Sequence, residues 1–130
     1  MPNQQPERGR IYRWPRNRSF GKRKPRPVLV ISPEAATSQS QRWVVVPLSS
    51  DPRLERLTLA IALEPDQANG LMQTSYAMGW MPTAVERSQL GEPIGRVSEA
   101  QLKLVLQTLI TALDLTLQEP WRLEPAPHSR

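Results

Sequence analysis

Residues 27–32 read P-V-L-V-I-S, and Pro33 follows. A run rich in β-branched residues that stops at a proline has the composition and punctuation of a buried strand. Upstream, residues 9–14 (G-R-I-Y-R-W) alternate weakly as far as Pro15 and read as a first strand. Downstream, residues 34–41 are small and polar and read as a loop. Residues 42–48 (R-W-V-V-V-P-L) give a third strand, whose Pro47 places its far end at an edge or a bulge. After a turn at 49–53 (S-S-D-P-R), residues 57–63 (L-T-L-A-I-A-L) alternate as a fourth strand, and 65–70 form a polar turn. Residues 74–80 and 83–85 read as a fifth strand interrupted near Gly79 and Pro82, and 91–97 as a turn with a short last strand.

The closing element is a helix over about 98–115. Ser98 and Gln101 form a capping-box pattern with Glu99 in the first turn. Leu102, Val105, Leu106, Leu109, Ile110 and Leu113 recur at helical spacing as one apolar stripe. Short antiparallel strands followed by one amphipathic helix predict a mainly β fold with a C-terminal α-helix: a small, strongly bent sheet or barrel with the helix packed on it. At 130 residues this is a single domain, expected over 9–117. The polar, Pro-rich segments 1–8 and 118–130 read as disordered tails.

Composition excludes several chemistries. The chain has no cysteine, so disulfides and thiolate metal sites are out of reach. Its single histidine, His128, lies in the Pro-flanked tail, which argues against a His-dependent triad or a His-based metal site. No apolar run approaches the roughly 18–20 residues of a membrane span, and a cytoplasmic protein is expected. The formal charge of +5 points to an acidic partner.

That excess is concentrated. Nine of the seventeen Lys/Arg residues lie between Arg8 and Arg26, with no Asp or Glu among them. Cations interleaved with Tyr12, Trp14 and Phe20 suit a phosphodiester backbone with stackable bases. Within the run, Arg16, Arg18, Lys22, Arg23 and Lys24 are the residues expected to neutralise phosphates, and Trp14 and Phe20 those expected to stack on bases. A solvated cationic loop is the alternative reading. Trp43 and Trp80 read as core or interface aromatics, and Trp121 as a residue that pins the tail or meets a partner.

Four segments occur in a telling order: R-G-R-I-Y, K-P-R-P-V-L-V-I-S, V-V-V-P-L-S-S and G-L-M-Q-T-S-Y-A-M-G-W-M-P-T-A-V-E-R-S-Q-L, followed by I-G-R-V and the helix. Together they resemble the MazF/PemK toxins of bacterial toxin–antitoxin pairs over residues 8–115. The resemblance implies an SH3-like barrel with a C-terminal helix, assembled as a homodimer. It implies metal-independent cleavage of single-stranded RNA with no cofactor, and inhibition by an acidic cognate antitoxin. It also implies a catalytic pair, which maps onto Arg26 and Ser49, with Ser50 as the fallback if the register slips by one.

Chemistry supports that pair. RNA supplies its own nucleophile, the ribose 2′-OH, so the protein must orient the chain, stabilise a pentavalent phosphorane and manage two proton transfers. A guanidinium held between Pro25 and Pro27 can donate to two phosphoryl oxygens, and a hydroxyl to a third. Neither group is a base of near-neutral pKa. The sequence also departs from the family pattern. Residues 21–24 (G-K-R-K) stand where acidic and small residues are common, Ser49 stands for the commoner Thr, and Met81 stands where relatives often carry a polar residue. A gyrase-poisoning module on the same fold is an alternative, opposed by the C-terminal P-A-P-H-S-R. A family member that binds nucleic acid without cutting it is another.

Overall fold

The computed structural model describes residues 6–14 and 26–115. Seven strands and two helices run in the order β1 (Arg10–Trp14), β2 (Arg26–Val30), α1 (Glu34–Ser40), β3 (Trp43–Ser49), β4 (Ala60–Leu63), β5 (Ser75–Met78), β6 (Thr83–Val85), β7 (Pro93–Arg96) and α2 (Glu99–Ala112). All pairings are antiparallel, in the order β4-β5-β3-β2-β1-β7, with β6 also on β3. The result is a mainly β, curled half-barrel carrying a C-terminal helix.

β3 is the strand around which the sheet curls. One side of it pairs with β2 through Val45, Val46 and Pro47. Its other side pairs with β6 at Trp43, Val44 and Val45, and then with β5 at Leu48 and Ser49. Val46 and Pro47 fall where the partner changes. Proline has no N–H to give a ladder, and here that side of the strand has no ladder to join. The expected edge or bulge at Pro47 is therefore a local break between two partners.

Side-chain alternation gives the sheet two apolar faces. Ile11, Leu29, Ile31, Val46, Leu48, Leu63 and Ala77 form one cluster with Val97 and Val105. Tyr12, Trp14, Val28, Val30, Trp43 and Val45 form the other with Val85 and Leu90. Helix α2 closes the first cluster. Gln101 N donates to Ser98 Oγ at 3.1 Å and Ser98 N donates to Gln101 Oε1 at 2.9 Å, completing the expected capping box. The helix lies so close to Gly79 that a Cβ there would meet the Thr108 hydroxyl and the Val105 carbonyl.

Four local expectations change. Residues 34–41 form helix α1 instead of a loop. Ala36 N and Thr37 N both donate to the Pro33 carbonyl, Thr37 Oγ1 donates back to Glu34 O, and Gln41 ends the helix in the left-handed region at φ 60°. Two alanines and an N-terminal acid outweigh the polar composition. The fourth strand starts at Ala60, because Asp51 caps a 3₁₀ turn over Pro52–Arg56 that carries the chain to Leu57. The interrupted fifth strand is two strands, β5 and β6, each laid on a different part of β3. On α2, Leu102, Leu106 and Leu109 pack on the core, but Ile110 is 45% exposed and Leu113 is 56% exposed.

The N-terminal segment is tied to the far edge of the sheet. Glu7 accepts from Arg10 Nε at 3.0 Å and from Arg96 of β7 at 3.1 Å. The hydrogen bond and charge of Arg10, reinforced by Arg96, hold the Glu7 carboxyl below the usual carboxylate range.

Candidate functional site

Strand register aligns a row of side chains across the sheet. Trp14 of β1 is the direct partner of Arg26 of β2. The β2–β3 register pairs Val30 with Val45, Leu29 with Val46 and Val28 with Pro47. Continued by two positions, it sets Arg26 level with Ser49. Ser49 is in turn the partner of Tyr76 on β5. The order Trp14, Arg26, Ser49, Tyr76 thus crosses four neighbouring strands, each about 4.8 Å from the next.

Alternation puts this row on one face. Arg26 alternates with Leu29 and Ile31 of the first cluster and falls with Val28 and Val30 of the second. Ser49 alternates with Val46 and Leu48, and Tyr76 adjoins Ala77, all three of which belong to the first cluster. Ser50 has the opposite parity to Ser49 and lies past the strand, exposed. Period-2 geometry therefore supports Ser49 over Ser50 as the hydroxyl on Arg26's face.

The serine is held in place. Ser49 is 9% exposed, and its Oγ accepts from Asp51 N at 3.2 Å. That contact occupies a lone pair and leaves the hydroxyl hydrogen free to donate elsewhere. The neighbouring carboxylate is engaged by Arg53. Asp51 accepts from Arg53 N at 2.9 Å, and its Oδ2 accepts from Arg53 NH2 at 2.7 Å. The same hydrogen bond raises the Arg53 pKa further, so that cation stays charged.

Arg26 is half-buried at the start of β2, and its Nε is enclosed with no hydrogen-bond partner among the described residues. An enclosed guanidinium donor without an acceptor is costly for the folded chain alone, and functional sites are where such groups persist. Trp14, expected to stack on bases, is 4% exposed within the second cluster. Its placement is that of a core side chain. Phe20, Arg16, Arg18, Lys22, Arg23 and Lys24 lie outside the described residues. Among the described residues no group of three or more His, Cys, Asp or Glu side chains could hold a metal ion.

A family model for PemK-like, MazF-like toxins of type II toxin–antitoxin systems matches residues 7–113. The chain belongs to this family. An endoribonuclease solved with its cognate antitoxin from a mycobacterial species is 25% identical, with a TM-score of 0.69, covering 91% of this chain and 100% of that one. A second mycobacterial endoribonuclease is 23% identical, with a TM-score of 0.65, and 90% of this chain and 97% of that one are covered. The MazE–MazF complex of Deinococcus radiodurans is 20% identical, with a TM-score of 0.65 over 85% of this chain and 97% of that one. No curated protein sequence matches.

In this toxin Trp43 and Trp80 differ in placement. Trp43 is 5% exposed and belongs to the second cluster. Trp80 is half-buried and lines an open pocket of about 530 Å³ with Leu57, Thr58, Leu59 and Ala112. Leu57, Ile110 and Leu113 leave further apolar area exposed on the 3₁₀ exit and the last turns of α2. The sequence reading did not single out Tyr76, which the β3–β5 register sets directly opposite Ser49. No helix among the described residues is long and apolar enough to cross a membrane.

Proposed function

We propose that this toxin is an endoribonuclease that cleaves single-stranded RNA by attack of the ribose 2′-OH on the adjacent phosphate. The alignment of Arg26 with Ser49 on one face of adjacent strands carries the reading. In this mechanism Arg26 donates from its planar fork to two phosphoryl oxygens, including through the Nε that lacks a protein acceptor. Ser49, oriented by the Asp51 amide, donates its hydroxyl hydrogen to another oxygen. The products are a 2′,3′-cyclic phosphate and a 5′-OH. The basic residues of 15–25 attract the chain electrostatically. An acidic segment of the cognate antitoxin inhibits by competing for the same cations.

The toxin works in the cytoplasm as a homodimer. The exposed apolar side chains of Leu57, Ile110 and Leu113 and the open pocket lined by Leu57 and Trp80 support a second copy as their cover. The test is incubation of a mixed-sequence RNA with the toxin in EDTA, followed by end-group analysis on a gel. Fragments ending in 2′,3′-cyclic phosphate are expected. Intact RNA, retarded or not, would overturn the reading.

A further inference from the structure

Arg26 and Ser49 leave one transfer unassigned: the 5′-oxygen must gain a proton as it departs. We infer that Tyr76 is the group that supplies it, an inference that rests on the RNA-cleavage reading above. Tyr76 is Ser49's partner across β3–β5 and shares its face, so their Cβ atoms lie about 4.5–5.5 Å apart. Arg26 and Tyr76 thus flank Ser49 from opposite sides, one strand spacing each, and a phosphate seated over Ser49 has the guanidinium on one side and the phenol on the other. The ring of Tyr76 is buried at 9% exposure, which fixes its direction. Among the described residues its hydroxyl has no hydrogen-bond partner, and it is not among the enclosed unpartnered atoms. The phenol is therefore held by burial of its ring, with its hydroxyl unpartnered among the described residues.

Tyrosine also carries a proton it can give: a phenolic O–H positioned at a departing oxygen is one of the recognised general-acid groups. An arginine holds its protons too firmly for the task. Tyr12, also on this face, is opposite Val28 and lies two residues along β1 from the Trp14–Arg26 pair, with neither Arg26 nor Ser49 as a cross-strand neighbour.

The step balances without a redox partner or co-reactant. The 2′-oxygen–phosphorus bond forms and the 2′-OH proton passes to solvent. The phosphorus–5′-oxygen bond breaks, that oxygen takes the phenolic proton of Tyr76, and the phenolate regains a proton from water after release.

The experiment compares the toxin with Tyr76→Phe on two versions of one RNA, cut at a site first mapped with the wild type. One carries the natural 5′-oxygen at the scissile linkage and the other a 5′-bridging sulfur, a leaving group that needs no protonation. Tyr76→Phe should lower kcat on the oxygen substrate by about 10²-fold or more with KM unchanged, and restore near wild-type kcat on the sulfur substrate. Tyr12→Phe should leave both rates unchanged. Equal slowing on the two substrates, or no slowing on either, would overturn the role of Tyr76 while leaving RNA cleavage itself standing. A wild-type toxin inert on RNA would overturn the cleavage reading, and the role of Tyr76 with it.

Discussion

Replacing Arg26 with Met should move stability and activity in opposite directions. The enclosed Nε of Arg26 has no acceptor, and an unsatisfied buried donor costs on the order of 1–3 kcal/mol. The residue is half-buried, so the rest of the guanidinium reaches water and the lower end of that range applies. Met keeps an apolar stem at the start of β2, opposite Trp14, where a thioether packs well on an aromatic edge. The net expectation is a gain of about 1 kcal/mol, which raises Tm by roughly 3–6 °C for a domain of this size. Cleavage should fall by about 10²–10³-fold or more, the usual effect of losing a fixed donor to a developing oxyanion. Arg26→Lys keeps the charge but loses the fork, and should restore RNA affinity more than rate. Thermal unfolding beside a quenched-fluorophore RNA assay reads both quantities on the same samples. A fall in Tm for Arg26→Met, or cleavage near the wild-type rate, would refute the argument, because either would make Arg26 a support for the strand end instead of a ligand for phosphate.

Three other perturbations test the framework. Ser49→Ala should cost about 10²-fold in cleavage, whereas Ser50→Ala should change it less than about threefold, and comparable losses in both would contradict the parity argument. Gly79→Ala drives a methyl into the Val105 carbonyl and the Thr108 hydroxyl, and should destabilise by about 1–3 kcal/mol in a urea titration; an unchanged midpoint would mean that α2 is not seated there. The lowered pKa of Glu7 means that its pairs stabilise the fold above the unfolded carboxyl's pKa, and that this is lost as pH falls through the lower folded value. Because Glu7 is exposed, Glu7→Gln should cost about 0.5 kcal/mol or less near pH 7, and the difference from wild type should vanish once pH has fallen below the lowered folded pKa.

What could be read from the sequence follows the range of the forces involved. The β2 strand, the β3 strand and the Ser98–Gln101 capping box are written in contiguous residues, through β-branching, proline punctuation and a four-residue side-chain pattern. Helix α1 was hidden because Ser, Thr and Gln describe loops as well as solvated short helices, and the decisive bonds to the Pro33 carbonyl leave no compositional trace. The division of one apparent fifth strand into β5 and β6 depends on how β3 changes partners, which is a tertiary event. The same holds for the site. Arg26 and Ser49 are candidates by residue type and family likeness, and Tyr76 becomes one only through cross-strand register. Trp14 shows the reverse: its neighbourhood of cations suggested solvent, while its parity with Tyr12 and Val28 buries it.

The pairing of β1 with β7 joins Arg10 to Arg96, so β1 acquires its outer neighbour only after more than eighty further residues have been made. Until then β1 has an open edge, and cluster residues Val97 and Val105 have yet to leave the ribosome. A chain cut short before residue 93 therefore lacks both the outer neighbour of β1 and part of the first cluster.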